Sequence, residues 1–224
     1  MASPADREKW EEWLVPIRKE VYHLHVNHHT FRRLRQIALE NPAFSSKLAL
    51  ATNAFWPFLH HTFIHYAAAA VRRQCKKNDQ SISLARLLYE VAESPHFITR
   101  GDFMASVVLM VDRDGAEELF DSFALGKGST VDPMAVYDDI ASLEVASEQI
   151  VTYADKRVAH FDKGDFPLTV DLSAVEEPID RLCETLVRYH YLIRGERFDL
   201  GVPAVVDRHL EYLFRDPWSA AFQA

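Results

Sequence analysis

The side chains best suited to chemistry gather in residues 153–163, Tyr153-Ala154-Asp155-Lys156-Arg157-Val158-Ala159-His160-Phe161-Asp162-Lys163. Two Lys, one Arg, one His and two Asp alternate there with the apolar Val158, Ala159 and Phe161. A fully solvated helix end has no use for the apolar residues, and a fully buried one would not carry the charges. In α-helical register, at about 100° per residue, Arg157 and His160 lie one turn apart on one face, and Lys156 is the i−4 neighbour of His160. A cation beside an imidazole favours its neutral form, which accepts or passes a proton near neutral pH. A guanidinium beside it can stabilise charge that develops on a phosphate.

Those residues need a helix to hold them. Asp132-Pro133 has the form of a helix start, and Met134, Val136, Tyr137, Ile140, Leu143, Ala146, Ile150 and Tyr153 recur at helical spacing to about residue 161. Two further long helices are predicted. Residues 43–77 carry Phe44, Leu48, Ala51, Phe55, Leu59, Phe63 and Tyr66 on one side, with Pro57 expected to bend or split them. Residues 174–194 carry Leu182, Leu186, Tyr189 and Ile193, with Pro178 pointing to a late start and Gly195 to the end. An amphipathic helix is expected over 4–29, kinked or interrupted at Pro16, with shorter ones over 82–93, 116–123 and 203–214; residues 103–111 are apolar enough for a buried helix or a strand, and a helix is favoured. Ala67 to Ala70 suits close approach of a neighbouring helix. With only seven Gly and almost no alternating apolar pattern, the class is all-α: one helical domain over residues 1–224, built as a bundle.

The motif and its helix resemble the HEPN superfamily, in particular its abortive-infection-type branch. That branch ends a long helix in Arg-Asp-Lys-x-x-Ala-His. Asp155, Lys156, Ala159 and His160 match, and Ala154 stands where the pattern has Arg. The run Asp79-Gln80-Ser81-Ile82-Ser83-Leu84-Ala85-Arg86-Leu87-Leu88 is similar to a second stretch of the same branch, and Leu168-Thr169-Val170-Asp171 after the His motif is similar to a third. The resemblance covers roughly residues 43–194, leaving helices 4–29 and 203–214 to pack on that core. It implies a HEPN-like helical bundle, a two-fold homodimer with the polar motif at its interface, and a place in toxin or phage defence. It further implies metal-independent RNA cleavage, RNA binding, and an antitoxin or regulatory protein as partner. His160 carries over as the catalytic His, with Arg157 or Lys156 in place of the missing Arg.

The rest of the chain sets limits. Its net charge of −8 argues against general affinity for nucleic acid but leaves room for a local basic site. Two cysteines, Cys75 and Cys183, make no disulfide framework and read as reduced thiols of a cytoplasmic protein. Residues 1–10 hold no apolar signal core, and no apolar run approaches membrane-spanning length. The His group at 23, 25, 28 and 29 offers His25 and His29 as an i,i+4 pair, and His60, His61 and His65 offer a second at 61 and 65. Neither has a Cys nearby or the Glu of a zincin motif, so mixed packing is favoured, and no metal or cofactor is expected. Gly126-Lys127-Gly128-Ser129-Thr130 fails as a phosphate loop, because Asp121 occupies the first Gly position and Gly128 follows the Lys.

Three functions remain. One is a ribonuclease using His160 and Arg157. The second is a non-catalytic module on the same fold that binds RNA, a nucleotide or a partner. The third is an unrelated structural or interaction protein in which Asp155, Lys156, Arg157 and Asp162 are ordinary helix-end charges.

Overall fold

The structure, a computed structural model, describes residues 5–41, 55–107, 113–124, 126–159 and 170–215. Over these residues the chain is all-α, as the periodicity predicts. Helices α1 (Ala5–Glu40), α2 (Phe55–Cys75), α3 (Leu84–Glu93), α4 (Arg100–Val107), α5 (Arg113–Phe123), α6 (Pro133–Tyr153), α7 (Ser173–Arg194) and α8 (Ala204–Leu210) follow one another. Turns of π-helix, Ala154–Ala159 and Glu211–Arg215, extend α6 and α8. Among the described residues the sole β pairing is an isolated bridge between Thr99 and Thr130.

Four long helices form the bundle: α1 packs on α7, α7 on α6, α6 on α2, and α2 back on α1. The first helix is therefore a member of the bundle, and it runs well past the predicted end at residue 29. Pro16 does not end it. Its ring lies on the exposed face, and so does Glu12, whose carbonyl loses the Pro16 N–H as partner and faces water. An interior Pro costs about 3 kcal/mol, whereas each fully buried large apolar side chain contributes about 1.5–3 kcal/mol. Trp10, Leu14, Ile17, Val21 and Leu24 are all buried, so burial wins.

Pro178 does not delay α7 either; the helix starts at Ser173, and only the bond to the Ala174 carbonyl is forfeited. Gly195 ends it in left-handed backbone at φ 68°, donating its N–H to the Tyr191 carbonyl. Asp139 of α6 accepts from Arg188 at 2.8 Å and from the Tyr189 hydroxyl at 2.9 Å, tying α7 to α6. In α6 itself Asp132 caps the start, accepting from the Met134 N–H at 2.8 Å. Val136, Ile140, Leu143, Ile150 and Tyr153 are buried as predicted, while Met134 and Tyr137 on the first turns are exposed. Ala67, Ala68 and Ala70 are fully buried in α2, the helix that packs on α6. Residues 43–54 of the predicted second helix and 108–111 of the fourth lie outside the described residues; Pro57 falls in the first turn of described α2.

The run from Asp79 to Leu88 has a structural role throughout. Ser83 caps α3 by accepting from the Arg86 N–H at 3.2 Å, and Arg86 Nη1 donates to the carbonyls of Asp79 (2.7 Å) and Ser81 (3.1 Å). Leu84, Leu87 and Leu88 are buried. The connection at 126–130 is held by Arg100, which donates to the Gly126 carbonyl at 2.8 Å and the Gly128 carbonyl at 3.0 Å.

Candidate functional site

The helix that carries the motif changes its winding where the motif begins. Bonding from i to i+5 over Ala154–Ala159 adds a residue to the turn, so the 100° spacing does not continue through Arg157. The expected one-turn relation of Arg157 to His160 therefore has no α-helical basis, and His160 itself lies outside the described residues. Phe161, Asp162 and Lys163 lie outside them as well. Such π turns occur disproportionately at functional sites.

Ala154, the position where the resemblance places Arg, is 1 % exposed and belongs to the main core. Lys156 and Arg157 are half-buried, and Val158 lies at the surface. Asp155 does not face solvent alone. Its carboxylate accepts from Arg72 on α2 and, at 2.9 Å, from Lys76 just past the end of that helix. Burial pushes the Asp155 carboxyl up, but the bonds from Lys76 and Arg72 outweigh it and hold the group below its ordinary value. These two cations at the C-terminal end of α2 therefore anchor the π turn to it.

Beside this anchor lies a polar cluster that the motif by itself does not disclose. Tyr153 is buried at the end of α6, and its Oη is 2.8 Å from His65 Nε2 on α2. The His65 ring lies 4.0 Å from that of His61, centroid to centroid. Burial, with His61 adding to it, lowers the His65 pKa, so its imidazole is neutral at pH 7. Burial raises the Tyr153 phenol, and the positive charge of Arg157 works against that rise. Arg157 lies four residues on from Tyr153, in the π turn that follows it. The available signal in the sequence was the 61/65 spacing, but nothing in it places α2 against the end of α6. Chemically, the cluster combines a neutral base, a phenol and a guanidinium, which suits proton transfer next to an anion.

The remaining groups singled out by the sequence do not form a metal centre. His25 Nδ1 is 3.7 Å from Cys183 Sγ, His28 Nε2 is 3.5 Å from Glu176, and His29 Nε2 is 2.7 Å from Asp207. The three rings thus turn to three different partners. Among the described residues no group of three metal-ligating side chains occurs. Both cysteines are free, and burial pushes each thiol up to about 12, which makes them poor nucleophiles. No described helix is long and apolar enough to cross a membrane. Comparison with protein-family models, curated proteins and solved structures finds no match to this chain.

Proposed function

We propose that this chain is a HEPN-like helical protein of the toxin or phage-defence type that binds RNA at the π-wound end of α6 and cleaves it weakly without metal. The observation that carries the reading is the His65–Tyr153 contact at the same helix end that bears Arg157 and the rest of the sequence motif. Arg157 takes a phosphate. A neutral His, His65 or His160, accepts the proton of the 2′-hydroxyl as its oxygen bonds to phosphorus; the P–O5′ bond breaks, the 5′ oxygen leaves with that proton, and a 2′,3′-cyclic phosphate remains. Asp155, engaged by Arg72 and Lys76, fixes the turn that presents them.

The working unit is a homodimer. Phe58, His61, Thr62 and Tyr66 form an exposed strip on α2 bordering the cluster, and an isologous contact there would bring two clusters together. An antitoxin or regulatory protein would act by covering the same strip. The protein works in the cytoplasm.

A second reading keeps the RNA binding and drops the cleavage. The observation favouring it is the burial of Ala154, which leaves no room for the missing Arg at the motif position. Fluorescence anisotropy with a labelled single-stranded RNA tests what the two readings share. Arg157→Ala is expected to weaken binding about tenfold and to lower the salt slope by about one phosphate contact. Unchanged affinity and unchanged salt slope would remove the RNA interface from this end of the protein. Light scattering at micromolar concentration is expected to give a dimer, and a monomer would contradict the paired arrangement.

A further inference from the structure

A cleft of about 590 Å³ opens between α1 and α7, well separated in sequence from the motif, and a more apolar pocket of about 410 Å³ opens between α1 and α2. Both volumes fall in the range of small-molecule sites, about 300–1,000 Å³. Arg35 and Leu39 line both, so the two spaces meet along one side of α1. The cleft presents Arg32, Arg33, Arg35 and His28 against Glu176 and Asp180. The pocket presents Phe31, Trp56 and His60.

The cations are not equivalent. Arg33 is engaged by Glu211, and Arg32 stands 3.6 Å from Glu176. Arg35 is exposed and, among the described residues, has neither ion-pair nor hydrogen-bond partner. It is therefore the uncompensated charge, and it sits at the seam between the two spaces. His28 is a second irregularity. It is 3 % exposed, its ring stacks on Phe63 at 6.1 Å, and its Nε2 makes no well-formed hydrogen bond, the nearest acceptor being Glu176 at 3.5 Å. A buried polar atom left in that state is costly unless a ligand completes it.

We infer that the joined spaces bind a nucleoside phosphate, with the phosphate on Arg35 and within reach of His28, and the base in the aromatic pocket beside Trp56. Each part has its reason. An uncompensated guanidinium selects an anion, and its fork suits phosphate oxygens. A flat apolar base matches a pocket walled by Trp56, Phe31 and the Arg35 stem, where stacking is worth about 1–3 kcal/mol per base. Neither half alone explains the other. A metal is disfavoured because His25 and His29 turn to Cys183 and Asp207, and no three metal-ligating side chains converge among the described residues. The inference does not depend on the RNA interface at Arg157, since the two sites share no residue.

Isothermal titration calorimetry on the full chain tests it, using adenosine monophosphate, adenosine, inorganic phosphate and a short single-stranded oligoadenylate. The nucleotide is expected to bind at least tenfold more tightly than either adenosine or phosphate. Arg35→Glu and Trp56→Ala are each expected to lose tenfold or more, with unchanged circular dichroism, and Arg157→Ala is expected to bind the nucleotide as wild type does. Tighter binding of the oligonucleotide than of the monophosphate, still through Arg35, would assign the ligand to a strand; the reverse would assign it to a free nucleotide. No heat with millimolar nucleotide, phosphate binding equal to nucleotide, or an Arg35→Glu variant indistinguishable from wild type would overturn the inference. Should the tenfold loss appear in Arg157→Ala and not in Arg35→Glu, the ligand belongs to the other site and the inference fails.

Discussion

Ala154→Arg restores the family pattern on paper, and the structure argues that it damages the protein. Ala154 is 1 % exposed, directly follows the buried Tyr153, and its N–H bonds back to the carbonyls of Ile150 and Val151. An Arg there would have to push a long side chain into a filled core, and overpacking alone costs about 1–3 kcal/mol. The guanidinium would also lose its hydration with no carboxylate prepared for it; an uncompensated buried charge costs about 3–5 kcal/mol. Escape of the side chain to the surface limits the sum, so a loss of about 3–5 kcal/mol is expected, a large share of the roughly 5–15 kcal/mol that holds a domain together. For a chain of this size about 1 kcal/mol corresponds to 2–4 °C, so Tm should fall by roughly 6–20 °C. The assay is urea and thermal unfolding of wild type, Ala154→Arg and Val158→Arg. Val158 lies at the surface, so its variant controls for the added charge and is expected to stay within about 0.5 kcal/mol of wild type. An Ala154→Arg protein as stable as that control would show that position 154 reaches solvent, and the packing argument would be wrong.

Asp155→Ala removes two bridges whose members are about one-third to one-half exposed, so solvent screening limits the loss to about 1 kcal/mol or less by urea unfolding; a loss of several kcal/mol would mean that the π turn depends on it for folding. Stability should fall as the pH drops below about 6.5. Burial is the leading cause that holds His28, His65 and His190 below 6.5, so the unfolded chain binds more protons in that range, and the full contribution is present only above it. Urea midpoints at pH 7.5 and 5.5 that are equal, or higher at 5.5, would contradict the neutral buried imidazoles. Gly195→Ala should cost about 2–4 kcal/mol, because an L side chain is strained at φ 68° and its Cβ would fall inside the Ser106 side chain, 3.1 Å from that residue's carbonyl carbon; a change under about 0.5 kcal/mol would show that the turn relaxes freely.

The helices were legible because their apolar faces repeat at 3.6 residues, and Asp132, Ser83 and Gly195 mark ends by local chemistry that needs no tertiary information. Pro16 and Pro178 misled for the opposite reason. Whether a helix survives a proline depends on which side faces solvent and how much the other side buries, and neither is written in the few residues around it. The site was legible in part. Residues 153–163 were identifiable by their mixture of charge and apolar residues. Their geometry was not, because a π turn has no strong sequence signature and every angular argument assumed α-helical spacing. His65, Arg72 and Lys76 were visible as residues but not as neighbours of the motif, since only the packing of α2 on α6 joins them. Arg35 and His28 raised no alarm in the sequence either; an uncompensated cation and an unsatisfied imidazole become visible only once every partner has been placed.

RNA turnover in the presence of a chelator decides whether the π-wound end of α6 is a ribonuclease site. Wild type, His65→Ala, Arg157→Ala and His160→Ala are purified alike and incubated with mixed single-stranded RNA in excess EDTA, and the initial rate of cleavage is measured. Wild type is expected to cleave slowly and to leave 2′,3′-cyclic phosphate ends. A fall of at least a hundredfold is expected in Arg157→Ala and in one or both His variants, all with wild-type circular dichroism. Equal rates in all four proteins would contradict the ribonuclease reading, by showing that whatever cuts the RNA does not use this end of the helix.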